Sequence, residues 1–147
     1  MPTISRTFDV AVPPAAALEY LEDFAHAQEW DPGTQRCVRN DDGPIGVGSS
    51  WFNESKIYGV STSLEYTLQE RTDERLVFVG VNKSATSTDR ITVTPNGEGS
   101  RITYVAEIEL SGLTRLMDPV MKVVFERIGD EVVRDMTAAL ERLTPSR

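Results

Sequence analysis

Asp89 is the residue of this sequence best placed by type to act as an acid or base. It shares the alternation parity of Ile91 and Val93 within Ser87 to Thr94. A strand that turns those two inward turns a carboxylate inward with them. A carboxylate in apolar surroundings must be paired or protonated, and its pKa rises, which suits proton transfer. A solvated strand end is the plainer reading of Asp89 and the one preferred here. No catalytic residue is therefore assigned, and Asp89 is the candidate if the chain is an enzyme. Asn53 and Ser55 share the parity of Trp51 and would join it on an inward face. His26, the only histidine, sits between Ala25 and Ala27 with no nucleophile or orienting partner marked nearby, and reads as a surface side chain. Cys37, the only cysteine, stands near Arg36 and Arg39, whose charge would lower a thiol pKa. No Cys/His/Asn pattern accompanies it, so it reads as a plain strand residue. One His, one Cys and no compact acidic loop predict no bound metal, which metal analysis of dialysed protein would check. No cofactor is implied either. Gly46-Val47-Gly48 lacks the strand, glycine-rich turn and helix of a phosphate loop and reads as a turn.

A second set of residues carries binding chemistry. Trp30, Trp51, Tyr66, Phe78, Tyr104, Met117, Met121 and Phe125 come from separate stretches of chain. Each alone reads as core packing. Together they supply the mostly apolar wall with a few polar tips that ligand pockets use. Trp and Tyr bring an N–H or O–H that needs a partner when buried, and Met brings an adaptable thioether.

These residues need elements to bring them together. Ile4, Phe8, Val10 and Val12 alternate with polar residues, which predicts a first strand with one buried face. Arg6 breaks that parity and reads as a sign of the sheet margin. Pro13-Pro14 ends the strand. Ala15 to Gln28 is rich in helix formers, with a break between Glu22 and Phe24, predicting two short helices. Trp30-Asp31-Pro32-Gly33 is a turn. Strands are predicted over Gln35 to Asn40, Ser49 to Ile57, Thr62 to Arg71, Arg75 to Val81, Ser87 to Thr94 and Arg101 to Leu110. Arg75 to Val81 is apolar on both parities, as in a strand covered on both faces. Pro95 to Gly99 is the clearest turn. Asp118-Pro119 reads as a cap and first helical position. Val120, Val124, Ile128, Val132, Met136, Ala139, Leu140 and Leu143 then form one apolar stripe. A helix from Pro119 to Leu143 would span about 37 Å. Segregated strands and helices indicate an α+β domain: a curved seven-stranded antiparallel sheet gripping a long C-terminal helix. The whole chain, 1–147, reads as one domain, with an internal pocket expected between sheet and helix.

Composition excludes several partners. The net charge of −8 opposes nonspecific binding to nucleic acid or anionic membrane. No stretch approaches the ~20 apolar residues of a membrane span, so stable membrane insertion is not expected. The N-terminus alternates instead of carrying a leader's apolar run. With a single cysteine, a reducing, cytoplasmic setting fits.

The order of several short segments resembles a known family. FDVAVPP (Phe8 to Pro14) leads into a helix, and WDPG (Trp30 to Gly33) follows the short helices. GVG (Gly46 to Gly48) precedes a strand, RLVF (Arg75 to Phe78) follows a Thr-Asp-Glu turn, and RITY (Arg101 to Tyr104) follows a glycine-rich turn before the terminal helix. This pattern resembles the START-like superfamily, in its polyketide cyclase/dehydrase and lipid-transport branch (SRPBCC). The resemblance implies the helix-grip fold and an apolar cavity. It leaves three functions open. The first is binding, as carrier or sensor, of a small hydrophobic molecule such as a lipid or polyketide-like aromatic. The second is a polyketide aromatase/cyclase or dehydratase. The third is a protein-interaction or regulatory module with a filled core. Two or more ionisable groups converging in the interior would favour the enzyme.

Overall fold

The computed structural model describes residues 2–57, 59–112, 116 and 118–143. The chain runs β1 (Thr3–Val10), α1 (Pro14–Leu21), a 3-10 turn (Phe24–His26), α2 (Ala27–Trp30), β2 (Thr34–Arg39) and β3 (Ser50–Ile57). β4 (Val60–Arg71), β5 (Arg75–Val81), β6 (Ala85–Asn96), β7 (Gly99–Leu110) and α3 (Asp118–Glu141) follow. All seven strands form one sheet in the order β1-β7-β6-β5-β4-β3-β2, with every neighbouring pair antiparallel. β2 to β7 are a meander, and β1 closes it by pairing with β7. Register shifts at Thr34/Arg36 and Leu68/Glu70 break the ladders of β2–β3 and β4–β5. Such irregularities bend strands and increase the twist that curls a sheet. The β6–β7 hairpin turns on Gly97 at φ 61, a backbone conformation glycine adopts at little cost.

The alternation places one row of side chains on the concave face. Trp51 stands opposite Tyr66, Tyr66 opposite Gly80, Phe78 opposite Asp89, and Ile91 opposite Tyr104. All but Gly80 and Asp89 are large apolar or aromatic residues, and all are buried. The outer side of β5 differs from expectation. Val77 is buried but Val81 is 48% exposed, so no second layer covers that strand along its length.

The covering of the concave face is divided. α3 packs chiefly on the edge strand β1 and on α2. Its Val132, Met136, Ala139 and Leu140 are buried, whereas the two ends of the expected stripe, Val120 and Leu143, are 51% and 42% exposed. The central strands receive Phe24 and Trp30 from the short helical segments instead, both buried. Arg6 does stand at the sheet margin, on the edge strand β1. It lies within β1 opposite Tyr104, and its guanidinium reaches α3: Nε is 3.2 Å from Asp130, and Nη2 is 3.0 Å from the Glu126 carboxylate and carbonyl. Gly129 leaves room for it, since an added Cβ would stand 3.0 Å from the Arg6 guanidinium carbon.

Gly80 has a tighter neighbour. A Cβ there would fall 2.7 Å from the Tyr66 ring, which lies across the glycine. Phe24 packs on that ring with centroids 4.4 Å apart, so it has little freedom to withdraw. Gly80→Ala is expected to destabilise the fold by ~1–3 kcal/mol through overpacking. Most of that loss should return in the Gly80→Ala/Tyr66→Leu double variant. Urea denaturation of the three variants measures the coupling; additive losses would show that ring and glycine do not constrain each other.

Candidate functional site

The interior is built on Phe24. Its ring centroid lies 4.4 Å from Tyr66, 4.6 Å from Phe78, 5.8 Å from Trp30 and 6.3 Å from Trp51. Trp30 in turn meets Tyr104 edge-on at 5.7 Å. The structure therefore brings five of the eight expected wall residues into one cluster: Trp30, Trp51, Tyr66, Phe78 and Tyr104. The residue that joins four of them is Phe24, which the periodicity marked only as helical. Asp23 explains its placement. The carboxylate accepts from the Ala25 backbone N–H at 3.0 Å, capping the 3-10 turn, and from Trp51 Nε1 at 2.9 Å. Phe125 is buried on α3, and Met121 is half-buried against the core. Met117 lies outside the described residues.

Asp89 is inside this cluster. It is 4% exposed, and Tyr104 donates its hydroxyl to Asp89 Oδ2 at 2.7 Å. The preference for a solvated Asp89 is thus overturned, because β6 runs through Asp89 with Ile91 and Val93 buried on the same face. Burial pushes its carboxyl up to about 7, with the Asp31 charge adding to the rise; hydrogen bonding to Tyr104 and Ser87 opposes it. Tyr66 and Tyr104 are held well above the ordinary phenol value, first by burial and then by the charge of Asp89.

Asp31 follows Trp30 and accepts from the Gly33 backbone at 3.0 Å and from Thr34 Oγ1 at 3.0 Å. Burial raises its carboxyl too, against those two hydrogen bonds. The chain of bonds continues outward. Asn53 Nδ2 donates to Thr34 Oγ1 at 3.0 Å, and Ser55 Oγ donates to Asn53 Oδ1 at 2.7 Å. Asn53 and Ser55 thus belong to the Asp31 relay, and hydrogen bonding of this kind is mutually reinforcing in a low-dielectric interior. Sequence reasoning placed Asp31 in a turn and missed its connection. The signal was its position between an inward Trp30 and a Thr34 at the start of β2.

Other candidates lie elsewhere. Cys37 is buried, and burial raises its thiol to about 12; Arg36 and Arg39 are spent on Glu54 and Asp41. His26 stacks on Tyr20 at 4.2 Å with its planes 2° apart, and its Nδ1 is 2.6 Å from the Tyr20 carbonyl. It lines an open surface groove of about 550 Å³ with Glu29, Arg142 and Leu143, separate from the Asp89 cluster. Gly46 and Gly48 belong to a loop tied down by Gly48 N–H to the Leu68 carbonyl at 2.9 Å. Among the described residues no group of His, Cys, Asp and Glu is arranged to hold a metal ion. No helix of the described residues is long and apolar enough to cross a membrane.

A curved antiparallel sheet around a C-terminal helix, with aromatic and carboxyl groups gathered on the concave face, is a START-like helix-grip domain. The sequence matches the family described as polyketide cyclase/dehydrase and lipid transport over residues 1–143, and the chain belongs to that family. No curated protein matches it in sequence. Among solved structures, a Thermus thermophilus protein is similar at TM-score 0.82 and 11% identity, covering 98% of this chain and 100% of that one. A START superfamily protein from Mycobacterium smegmatis is similar at TM-score 0.79 and 14% identity, covering 97% and 99%. The Zhui aromatase/cyclase of a Streptomyces species is similar at TM-score 0.77 and 12% identity, covering 95% and 93%. At these identities the likeness is one of fold.

The Asp89 geometry has a pH signature. Between the ordinary value of 3.8 and about 7, the folded state keeps a proton that the unfolded chain has released. Stability contributed by this group therefore falls as pH rises through that window. Asp89→Asn, whose amide oxygen can still accept from Tyr104, should stabilise the protein by ~1–3 kcal/mol at about pH 8, and by almost nothing near pH 4. Urea unfolding of both proteins across that range measures the difference. Parallel pH profiles would show that Asp89 ionises normally.

Proposed function

We propose that this chain binds a small, largely apolar molecule in the interior between the concave sheet face and α3. The family and fold go with hydrophobic-ligand binding or polyketide cyclisation. The observation that carries binding is the gathering of Trp30, Trp51, Tyr66, Phe78 and Tyr104 around buried polar groups that a purely structural core does not need. The aromatic surface supplies affinity, and the Asp89–Tyr104 pair supplies orientation. Met121 and Phe125 complete the wall from the helix side, with Met121 half-buried and free to adapt.

One observation favours a second reading, a cyclase or dehydratase. The charge of half-buried Asp31 acts on buried Asp89, and both carboxyls act on the buried Tyr66 and Tyr104. A carboxyl near neutrality can take a proton from a carbon beside a ketone and return it to a departing hydroxyl. An enclosure that folds a reactive chain needs few such groups, since proximity supplies much of the acceleration.

Native mass spectrometry of protein purified without denaturation, joined to a thermal-shift screen of lipids, flavonoids and polyketide-like aromatics, tests binding. A co-purified small molecule or a saturable shift is expected; a ligand at one hundred times its dissociation constant stabilises by about 2.7 kcal/mol. Met121→Glu should weaken binding at least about tenfold while costing the apo fold under ~1 kcal/mol, because the site is only half-buried. No bound molecule and no shift would leave the interaction-module reading in front. Turnover of a polyketide-like substrate that Asp89→Asn abolishes without loss of binding would move the enzyme ahead.

A further inference from the structure

Two buried side-chain nitrogens among the described residues lack a hydrogen bond: Trp30 Nε1 and Arg75 Nε. Arg75 Nε lies 3.3 Å from Glu70 Oε2 in an ion pair whose side chains are both half-exposed, so a carboxylate sits within its reach. Trp30 is 0% exposed and has neither. The other tryptophan shows the contrast, since Trp51 Nε1 is satisfied by Asp23 at 2.9 Å. An unpaired buried donor costs ~1–3 kcal/mol, which phenylalanine would avoid if the position only filled space.

The surroundings say what the donor would meet. The Trp30 ring adjoins Tyr104, and Tyr104 holds Asp89. Asp31 is the next residue, and its charge reaches Asp89, Tyr66 and Tyr104. The site thus combines a free donor with one buried carboxyl, Asp89, and one half-buried carboxyl, Asp31. Three part-buried arginines among the described residues are already paired. Arg6 is held by Glu126 and Asp130, Arg39 by Asp41, and Arg71 by Glu22.

We infer that Trp30 Nε1 is the donor for a neutral oxygen acceptor, such as a ketone, phenol or alcohol oxygen, on the apolar molecule held in the interior, and that this interior rejects carboxylate-bearing molecules of the same shape. The inference rests on the binding reading above and narrows it. A neutral oxygen accepts from the indole without adding charge. A carboxylate would bring a third acidic group beside Asp31 and Asp89, and like-charge juxtaposition is strongly unfavourable. Free fatty acids are poor candidates on this account, and neutral oxygenated ring systems are good ones.

Calorimetric titration with ethylnaphthalene, acetylnaphthalene and naphthoate tests this on one carbon skeleton. The wild-type protein should prefer the acetyl compound to the ethyl compound by about tenfold, and naphthoate should bind most weakly. Trp30→Phe should lower acetylnaphthalene affinity about tenfold and leave ethylnaphthalene unchanged. Its apo melting temperature should not fall, whereas Trp51→Phe, which removes one of the two hydrogen bonds to Asp23, should melt lower. Equal binding of the ethyl and acetyl compounds by the wild type would overturn the inference while the binding reading stands. Naphthoate binding as tightly as the ketone would do the same. No binding of any of the three would bring down both. The wild-type preference series needs no variant, so a poorly folded Trp30→Phe leaves the inference open to refutation.

Discussion

A seven-stranded sheet with one apolar face must have that face covered, and the structure follows from how this chain does it. A single helix is too narrow for a sheet curling from β1 to β2. α3 takes the β1 side, where Arg6 ties it through Glu126 and Asp130 and where Gly129 lets the guanidinium approach. The central strands are left to the segment between β1 and β2. The Pro13-Pro14 break, α1, the 3-10 turn and α2 put Phe24 and Trp30 against Trp51, Tyr66, Phe78 and Tyr104. Glycine at position 80 belongs to the same solution, because the Tyr66 ring can lie across the sheet only where no Cβ stands.

Covering the sheet with aromatic rings brings polar tips inside, and their partners determine how acidic the interior is. Trp51 is answered by Asp23, and Tyr104 by Asp89. Asp31 is answered by Gly33 and Thr34, with Asn53 and Ser55 behind them. The carboxyls accept hydrogen bonds, yet burial outweighs those bonds at both Asp31 and Asp89 and drives both upward. The competing effects are unequal for a physical reason. A hydrogen bond from a neutral hydroxyl returns only part of the solvation that an ionised carboxyl loses. A guanidinium would return more, but that of Arg6, which reaches from β1 to α3, is committed to Glu126 and Asp130.

The sheet was legible because its signal is local. Alternation in β1, β4, β6 and β7 reports which side chains share a face, and the terminal stripe reports a helix. Parity also placed Asp89 beside Ile91 and Val93; what it could not report was depth, which depends on Phe24 and Trp30 arriving from another part of the chain. Arg6 shows the same limit. Its break in parity fits the edge strand β1, but parity could not report that a helix over a hundred residues later supplies Glu126 and Asp130. β5 did mislead: residues apolar on both parities suggested two covered faces, but Val81 meets solvent. Asp31 was hidden because a turn of Asp, Pro and Gly is explained by backbone geometry alone, so nothing in it asks for a buried partner.

The same arrangement can serve binding or catalysis, and the difference lies in whether a proton moves. A carboxyl raised to about 7 is divided between two forms at neutral pH. Protonated, Asp89 can donate one hydrogen bond while accepting another from Tyr104, and on the proposed reading would orient an oxygenated ring without reacting. Ionised, it is a base in an enclosure where the neighbouring charge of Asp31 makes it eager to recover its proton. An apolar ligand that excludes water strengthens that tendency, since the charged form then loses what solvation it had. Binding and proton affinity are therefore linked: a neutral ligand filling the interior raises the carboxyl further, and a protonated carboxyl accepts the ligand more readily. A ligand with an acidic proton on carbon next to a ketone breaks that balance, because it offers Asp89 a proton at the moment it seals the site. The fold alone thus selects neither role. On the proposed reading the ligand's own acidity does, with Trp30 and Tyr104 as the groups that would meet its oxygens.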